Sequence, residues 1–244
     1  MRHKAIVFDR DGTLFQTFDS PMLFFHSVKD FLSEQGIKCP ETGEFFILQR
    51  KSGNFFWKKL SGGRLKKRDY VEWKKKQFQK RKINPWLRPR FCDYFTESVK
   101  IYPEVKGVIK TLSAKGYRLA LTSGSSCTEE TKAILEMNGM GEDFASILTF
   151  DDYVKKVSNP IAERSVSKKM WLIENSMDCL GVEPSETVVV DDSNEGIMAG
   201  KKMGVTTIAV LSGVGSRYVK FFKKAKTDVI INSIGDLPKA LDGL

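Results

Sequence analysis

The 244-residue chain has little of what would place it in a membrane or an oxidising compartment. No apolar stretch approaches the roughly 20 residues needed to cross a bilayer. Met1-Arg2-His3-Lys4 runs directly into a short strand-like segment, not into the apolar region of a signal peptide. A soluble, cytoplasmic protein with no membrane partner is therefore expected. Cysteine is scarce: Cys39, Cys92, Cys127 and Cys179 are scattered, no Cys-x-x-Cys pair occurs, and only His3 and His26 could complete a zinc site. The four thiols read as reduced and structural. Internal repeats, flexible linkers and low-complexity tracts are lacking as well, which excludes solenoid and disordered classes. What is present, 41% hydrophobic and 29% charged residues, suits one large globular domain or a domain with a smaller companion.

The net charge of +10 is a regional property. Between Arg64 and Arg90 twelve Lys and Arg stand against Asp69 and Glu72, and the rest of the chain balances at 28 basic and 28 acidic residues. One local element therefore carries whatever the excess charge does.

Lys4 to Phe8 is a short Ile/Val/Phe-rich run that reads as a buried strand. Strands of the same kind return at Arg118 to Leu121, Ser146 to Phe150, Thr187 to Val190, Thr206 to Leu211 and Asp228 to Ile231. Helix-length segments lie between them, with apolar residues at steps of three and four: Val105, Val108, Ile109 and Leu112, or Trp171, Leu172 and Leu180. Alternation of this kind implies a doubly wound parallel sheet, an α/β core of residues 1–15 and 99–244. Residues 16–98 break the pattern with mostly helical periodicity and are expected to form an inserted helical domain. Loops at the carboxyl ends of parallel strands surround the ligand crevice, so such an insertion would act as a cap.

Three strand ends carry chemistry. Asp9-Arg10-Asp11-Gly12 closes the first strand with two carboxylates two residues apart. One can attack phosphorus, while the other protonates a leaving oxygen and later deprotonates water. The pair also repels, which a divalent cation relieves. The competing reading is an Asp-Gly turn between strands. Asp191-Asp192-Ser193-Asn194-Glu195-Gly196 follows a second buried strand and reads alone equally as a helix cap. A doubly wound sheet would bring both clusters to one edge to share a cation, and oxygen-only ligands suggest magnesium. Between them, Thr122-Ser123-Gly124-Ser125-Ser126 can offer hydroxyls and backbone N–H groups to phosphate oxygens, or can be a plain polar turn.

In order and interval these elements resemble the haloacid dehalogenase superfamily, in its phosphoglycolate phosphatase and beta-phosphoglucomutase branch, over residues 1 to 15 and 99 to 235. The resemblance implies a Rossmann-like core with a cap domain. Asp9 would be the nucleophile and a metal ligand, and Asp11 the acid/base, which also gives its backbone carbonyl to the metal. Thr122 would hold the transferring phosphoryl group with Ser123 and Gly124. Asp192 would bind Mg2+, supported by Asp191. A phosphate-neutralising lysine is required too. Asn159 precedes Pro160 where the family's lysine is expected, so counting back along a helix that should start near Ser167 makes Lys168 the first choice, Lys169 the second and Lys156 the third.

The expected activity is hydrolysis of a small phosphate monoester, because Asp11 supplies an acid/base that a dehalogenase would not need. A sugar-phosphate mutase is the runner-up, and a nucleic-acid-binding module using the basic insertion is third. From Arg68 to Lys82 the apolar residues Tyr70, Val71, Trp73 and Phe78 can share one helix side and leave Lys74, Lys75, Lys76, Lys80, Arg81 and Lys82 to solvent. Attraction of a phosphorylated substrate to that face is favoured over nucleic acid.

Overall fold

A computed structural model describes residues 3–16, 20–49, 54–66, 68–70, 72–73, 100–124, 128–156 and 165–244. Ser125, Ser126, Asn159, Pro160, Cys92, Cys127 and the basic positions from Lys74 to Arg90 lie outside them. Strand β1 (Ala5–Asp9) is buried at every position, as an unbroken apolar run covered on both faces should be. It lies inside a six-stranded sheet with β2 (Arg118–Ser123), β3 (Ser146–Thr149), β4 (Thr187–Asp191), β5 (Thr206–Val210) and β6 (Val229–Ile231). Among the described residues the order is β3-β2-β1-β4-β5-β6 and every pairing is parallel. The chain steps outward from β1 to β3, then returns to β4 on the other side of β1. This is the expected doubly wound α/β architecture, and the reversal between β1 and β4 is a topological switch point, the place where such sheets bind ligands.

The chain divides into two compact units, Met1–Phe18 with Ser98–Leu244, and Asp19–Glu97. The second is helical where described, with α1 (Ser20–Glu34), α2 (Thr42–Gln49) and α3 (Asn54–Ser61). Its core is aromatic. Phe25, Phe31, Phe45, Phe56, Trp57 and Tyr70 are buried together with Val28, Leu32 and Leu60, and Trp73 packs against them. Tyr70 stacks on Trp57 with 4.9 Å between ring centroids, and Trp73 Nε1 donates to Glu34 Oε2 at 2.6 Å.

In the first unit the sheet is flanked by α4 (Val105–Ala114), α5 (Thr128–Met137), α6 (Phe150–Lys156), α7 (Ser165–Leu180), α8 (Asn194–Met203), α9 (Val219–Lys224) and α10 (Leu237–Asp242). Among the described residues no helix is long and apolar enough to cross a membrane. Cys39 and Cys179 are free thiols.

Helix α7 positions the site. Its buried stripe runs Lys169, Leu172, Ile173, Ser176, Met177 and Leu180, at steps of three and four. Ile173, Met177 and Leu180 pack on Ala5 and Val7 of β1, Ala120 of β2 and Val189 of β4. Side chains alternate along a strand, so Asp9, Thr122 and Asp191 continue the parity of those contacts and leave the sheet on the face that α7 covers. Ile173 is 1% exposed, and Ile173→Ala should cost about 2–5 kcal/mol by removing buried methylenes and leaving a cavity. Urea unfolding would measure it, as a lowered midpoint at unchanged slope.

Candidate active site

Where β1 and β4 end side by side, oxygens of Asp9, Asp191 and Asp192 lie within 4.8 Å of one another, and all three residues are buried. Lys169, the first polar member of the α7 stripe, fills the space beside them. Its ammonium forms an ion pair with Asp9 Oδ1 and donates to Asp191 Oδ2 at 2.8 Å. The other oxygen of Asp191 accepts the Ser193 backbone N–H at 2.8 Å and the Ser193 hydroxyl at 2.6 Å. Ser193 is also the N-cap of α8, where its hydroxyl accepts the Gly196 N–H. The same hydroxyl thus caps α8 and holds Asp191. Gly196 is required here, because a Cβ on it would stand 1.9 Å from Asp191 Oδ2.

Asp192 turns to the next loop: its Oδ2 accepts the Val214 N–H at 2.8 Å, and its Oδ1 lies 3.5 Å from the Thr13 hydroxyl. Asp11, past the end of β1, accepts the Ser123 hydroxyl on Oδ2 at 2.7 Å. Its Oδ1 is 3.8 Å from Nη1 of the fully buried Arg10, whose guanidinium lies 4.8 Å from the Phe15 ring centroid.

The charges do not balance locally. Burial, then the neighbouring Asp191, raises the Asp9 carboxyl well above the ordinary carboxylate range, and Lys169 only partly opposes this. The same two causes push Asp192 up to about 8. Burial works against the ammonium of Lys169, but Asp191 and Asp9 outweigh it and keep that group protonated. Three buried carboxylates facing one ammonium form an oxygen-only donor set with excess negative charge, and a hard divalent cation fits it.

Not every expected residue comes to this cluster. Lys168, the first choice, is one residue and about 100° away from the buried stripe, and its Nζ donates to the Gly124 carbonyl at 2.7 Å. Lys169 reaches Asp9 instead. The helix starts at Ser165, two residues earlier than counted, but the decisive signal was periodicity: Lys169 precedes Leu172 and Ile173 by three and four residues. Lys156 is exposed at the end of α6. Thr122 is buried beside Asp9, yet its hydroxyl donates to the Phe8 carbonyl at 3.1 Å, and Ser123 is the hydroxyl that reaches Asp11. Ser193 carries a capping signal in the sequence, whereas the Val214 N–H carries none.

The carboxylate and lysine cluster thus lies at the switch point of a doubly wound sheet, where such sheets bind their ligands. A family model, described as haloacid dehalogenase-like hydrolase, matches residues 3–204, and the chain belongs to that family. It is 28% identical over 143 residues to a protein named phosphoglycolate phosphatase from Vibrio vulnificus, covering 54% of this chain and 58% of that one. It is 29% identical over 143 residues to another of that name from Aquifex aeolicus, covering 59% and 60%. The chain thus spans less than two thirds of the length of these relatives. A solved structure from Clostridium difficile matches 99% of both chains with a TM-score of 0.69 at 21% identity, which is a likeness of fold.

The raised Asp192 carboxyl sets a pH dependence. A carboxyl whose folded pKa lies above its unfolded value stabilises the fold fully below the unfolded pKa, near 4, and loses that contribution as pH rises toward the folded value of about 8. Metal-free protein should therefore lose stability across this window relative to Asp192→Asn, whose amide does not ionise. Parallel stability curves in denaturant for the two proteins would contradict the charge assignment.

Proposed function

We propose that this chain is a magnesium-dependent phosphatase that hydrolyses a small phosphate monoester in the cytoplasm through an aspartyl-phosphate on Asp9. The observation that carries the reading is the Asp9–Lys169–Asp191 ion cluster at the switch point, with the second carboxylate of Asp11 two residues beyond the first. Lys169 favours the ionised form of Asp9, in part opposing burial, and is available to offset phosphoryl charge. In the first step an Asp9 carboxylate oxygen attacks phosphorus, the phosphorus–oxygen ester bond breaks, and the leaving oxygen takes a proton from the Asp11 carboxyl. In the second, Asp11 takes a proton from water, the water oxygen attacks phosphorus, the bond between phosphorus and the Asp9 carboxylate oxygen breaks, and inorganic phosphate leaves with the Asp9 carboxylate restored. Ser123, with the Thr122–Gly124 strand end, holds the phosphoryl oxygens and orients Asp11.

Asp9, Asp192 and the Asp11 carbonyl would hold the cation, with Asp191 in support because Lys169 and Ser193 already occupy both of its oxygens. Bound magnesium would supply compensation for the carboxylate and phosphoryl charge. The relatives named phosphoglycolate phosphatase make 2-phosphoglycolate the first substrate to assay, and the inserted helical unit is read as the part that selects among monoesters.

Asp9→Asn should lower kcat below about a hundredth of wild type without unfolding the protein, since the amide is nearly isosteric but not nucleophilic. Lys169→Met should lower kcat about 100-fold or more. Excess chelator should stop phosphate release from a panel of monoesters, and magnesium should restore it. Turnover by Asp9→Asn near the wild-type rate, or full activity in chelator, would defeat the mechanism.

A further inference from the structure

Helix α7 carries two consecutive lysines that do different things at the same sheet edge. Lys169 meets the ends of β1 and β4. Lys168, about a quarter-turn away on the helix, meets the end of β2: its Nζ donates to the Gly124 carbonyl at 2.7 Å and lies 5.1 Å from the centroid of the Phe150 ring. Phe150 is 6% exposed at the start of α6, directly after β3. The ammonium therefore joins three elements, α7, the end of β2 and the β3–α6 junction. The approach is close. A Cβ at position 124 would stand 2.9 Å from Lys168 Cε and 3.2 Å from Nζ, so a side chain there would make the end of the lysine shift.

We propose that Lys168 is a positioning residue that fixes the Ser123–Gly124 strand end so that it can receive a phosphoryl group. This rests on the reading of that strand end as the phosphoryl-holding element. A backbone carbonyl is the negative end of its peptide dipole, and one free to swing toward an incoming phosphate dianion would oppose binding. A cation hydrogen-bonded to that oxygen holds the carbonyl toward itself and away from the anion, through a charge-assisted bond stronger than a neutral one. The aromatic face adds a second attraction that keeps the ammonium on station. The adjacent Ser123 hydroxyl, bonded to Asp11 at 2.7 Å, is positioned by the same strand end. Lys168 thus acts through the backbone it holds, whereas Lys169 acts on the reacting carboxylate itself.

The test compares Lys168→Met, Lys168→Arg, Gly124→Ala and Lys169→Met with wild type in three measurements: steady-state kinetics on the best monoester with magnesium, calorimetric binding of inorganic phosphate with magnesium, and amide hydrogen exchange of the β2 peptide. Lys168→Met should raise KM and the phosphate Kd about tenfold, with a smaller loss in kcat, and should speed exchange at the end of β2. Lys168→Arg should recover most of the affinity, because a guanidinium can still donate to the carbonyl and face the ring. Gly124→Ala should reproduce the Lys168→Met pattern by displacing the lysine, while Lys169→Met should lose kcat. If Lys168→Met binds phosphate and exchanges like wild type, or if Lys168→Arg fails to improve on Lys168→Met at equal thermal stability, the proposal is wrong. Should wild type hydrolyse no monoester, the proposed function fails separately, and the binding and exchange arms still decide the role of Lys168.

Discussion

The interaction on which the site depends is the ammonium of Lys169 held between the carboxylates of Asp9 and Asp191. Each of these groups costs several kcal/mol to take out of water, and the cost is offset only while the partners stay within hydrogen-bonding distance. Three features must then agree. β1 and β4 must be neighbours, α7 must present Lys169 on its inner stripe, and Asp9 and Asp191 must leave their strands on the face α7 covers. A one-residue slip of β1 would turn Asp9 to the opposite face and leave the ammonium with half its charge partners. The apolar packing of Ile173, Met177 and Leu180 on Ala5, Val7 and Val189 fixes the same register from below, so hydrophobic and ionic requirements select one arrangement.

Much of this was legible in the residues. The apolar runs ending in Asp9 and Asp191 identified both strands and the carboxylates at their ends, because a fully buried parallel strand has an unmistakable apolar pattern. The strand ending near Phe150 was overextended by one residue, since an aromatic fits the last position of a strand and the first turn of a helix alike. The lysine was the harder problem. Motif spacing and a counted helix start favoured Lys168, whereas the helical period of the stripe through Leu172, Ile173, Met177 and Leu180 passes through Lys169. Contacts such as Thr13 to Asp192, 179 residues apart, have no local pattern at all and are visible only once the sheet order is known.

The helical unit shows the same division. The periodicity of the sequence puts Tyr70 and Trp73 on the apolar side of a helix. In the fold, Tyr70 is buried against Phe31 and Trp57, and Trp73 stacks on Tyr70, so these rings are committed to holding the helices together. Tyr70 and Trp73 are therefore engaged in packing, while the rest of the basic stretch lies outside the described residues.

The insertion between β1 and β2 also bears on how the polypeptide comes together. Thr122 bonds to a carbonyl 114 residues earlier in the chain, and Lys169 pairs with a carboxylate 160 residues earlier. Until β2 and β4 arrive, β1 is an apolar strand with two open edges, the kind of segment that recruits other chains. Loop closure becomes costlier only slowly with length, roughly as the logarithm, and a helical unit that folds on its own aromatic core would shorten the effective loop further. An insertion that folds autonomously would thus serve assembly, by lowering the cost of pairing β1 with β2 before Asp9 meets Lys169.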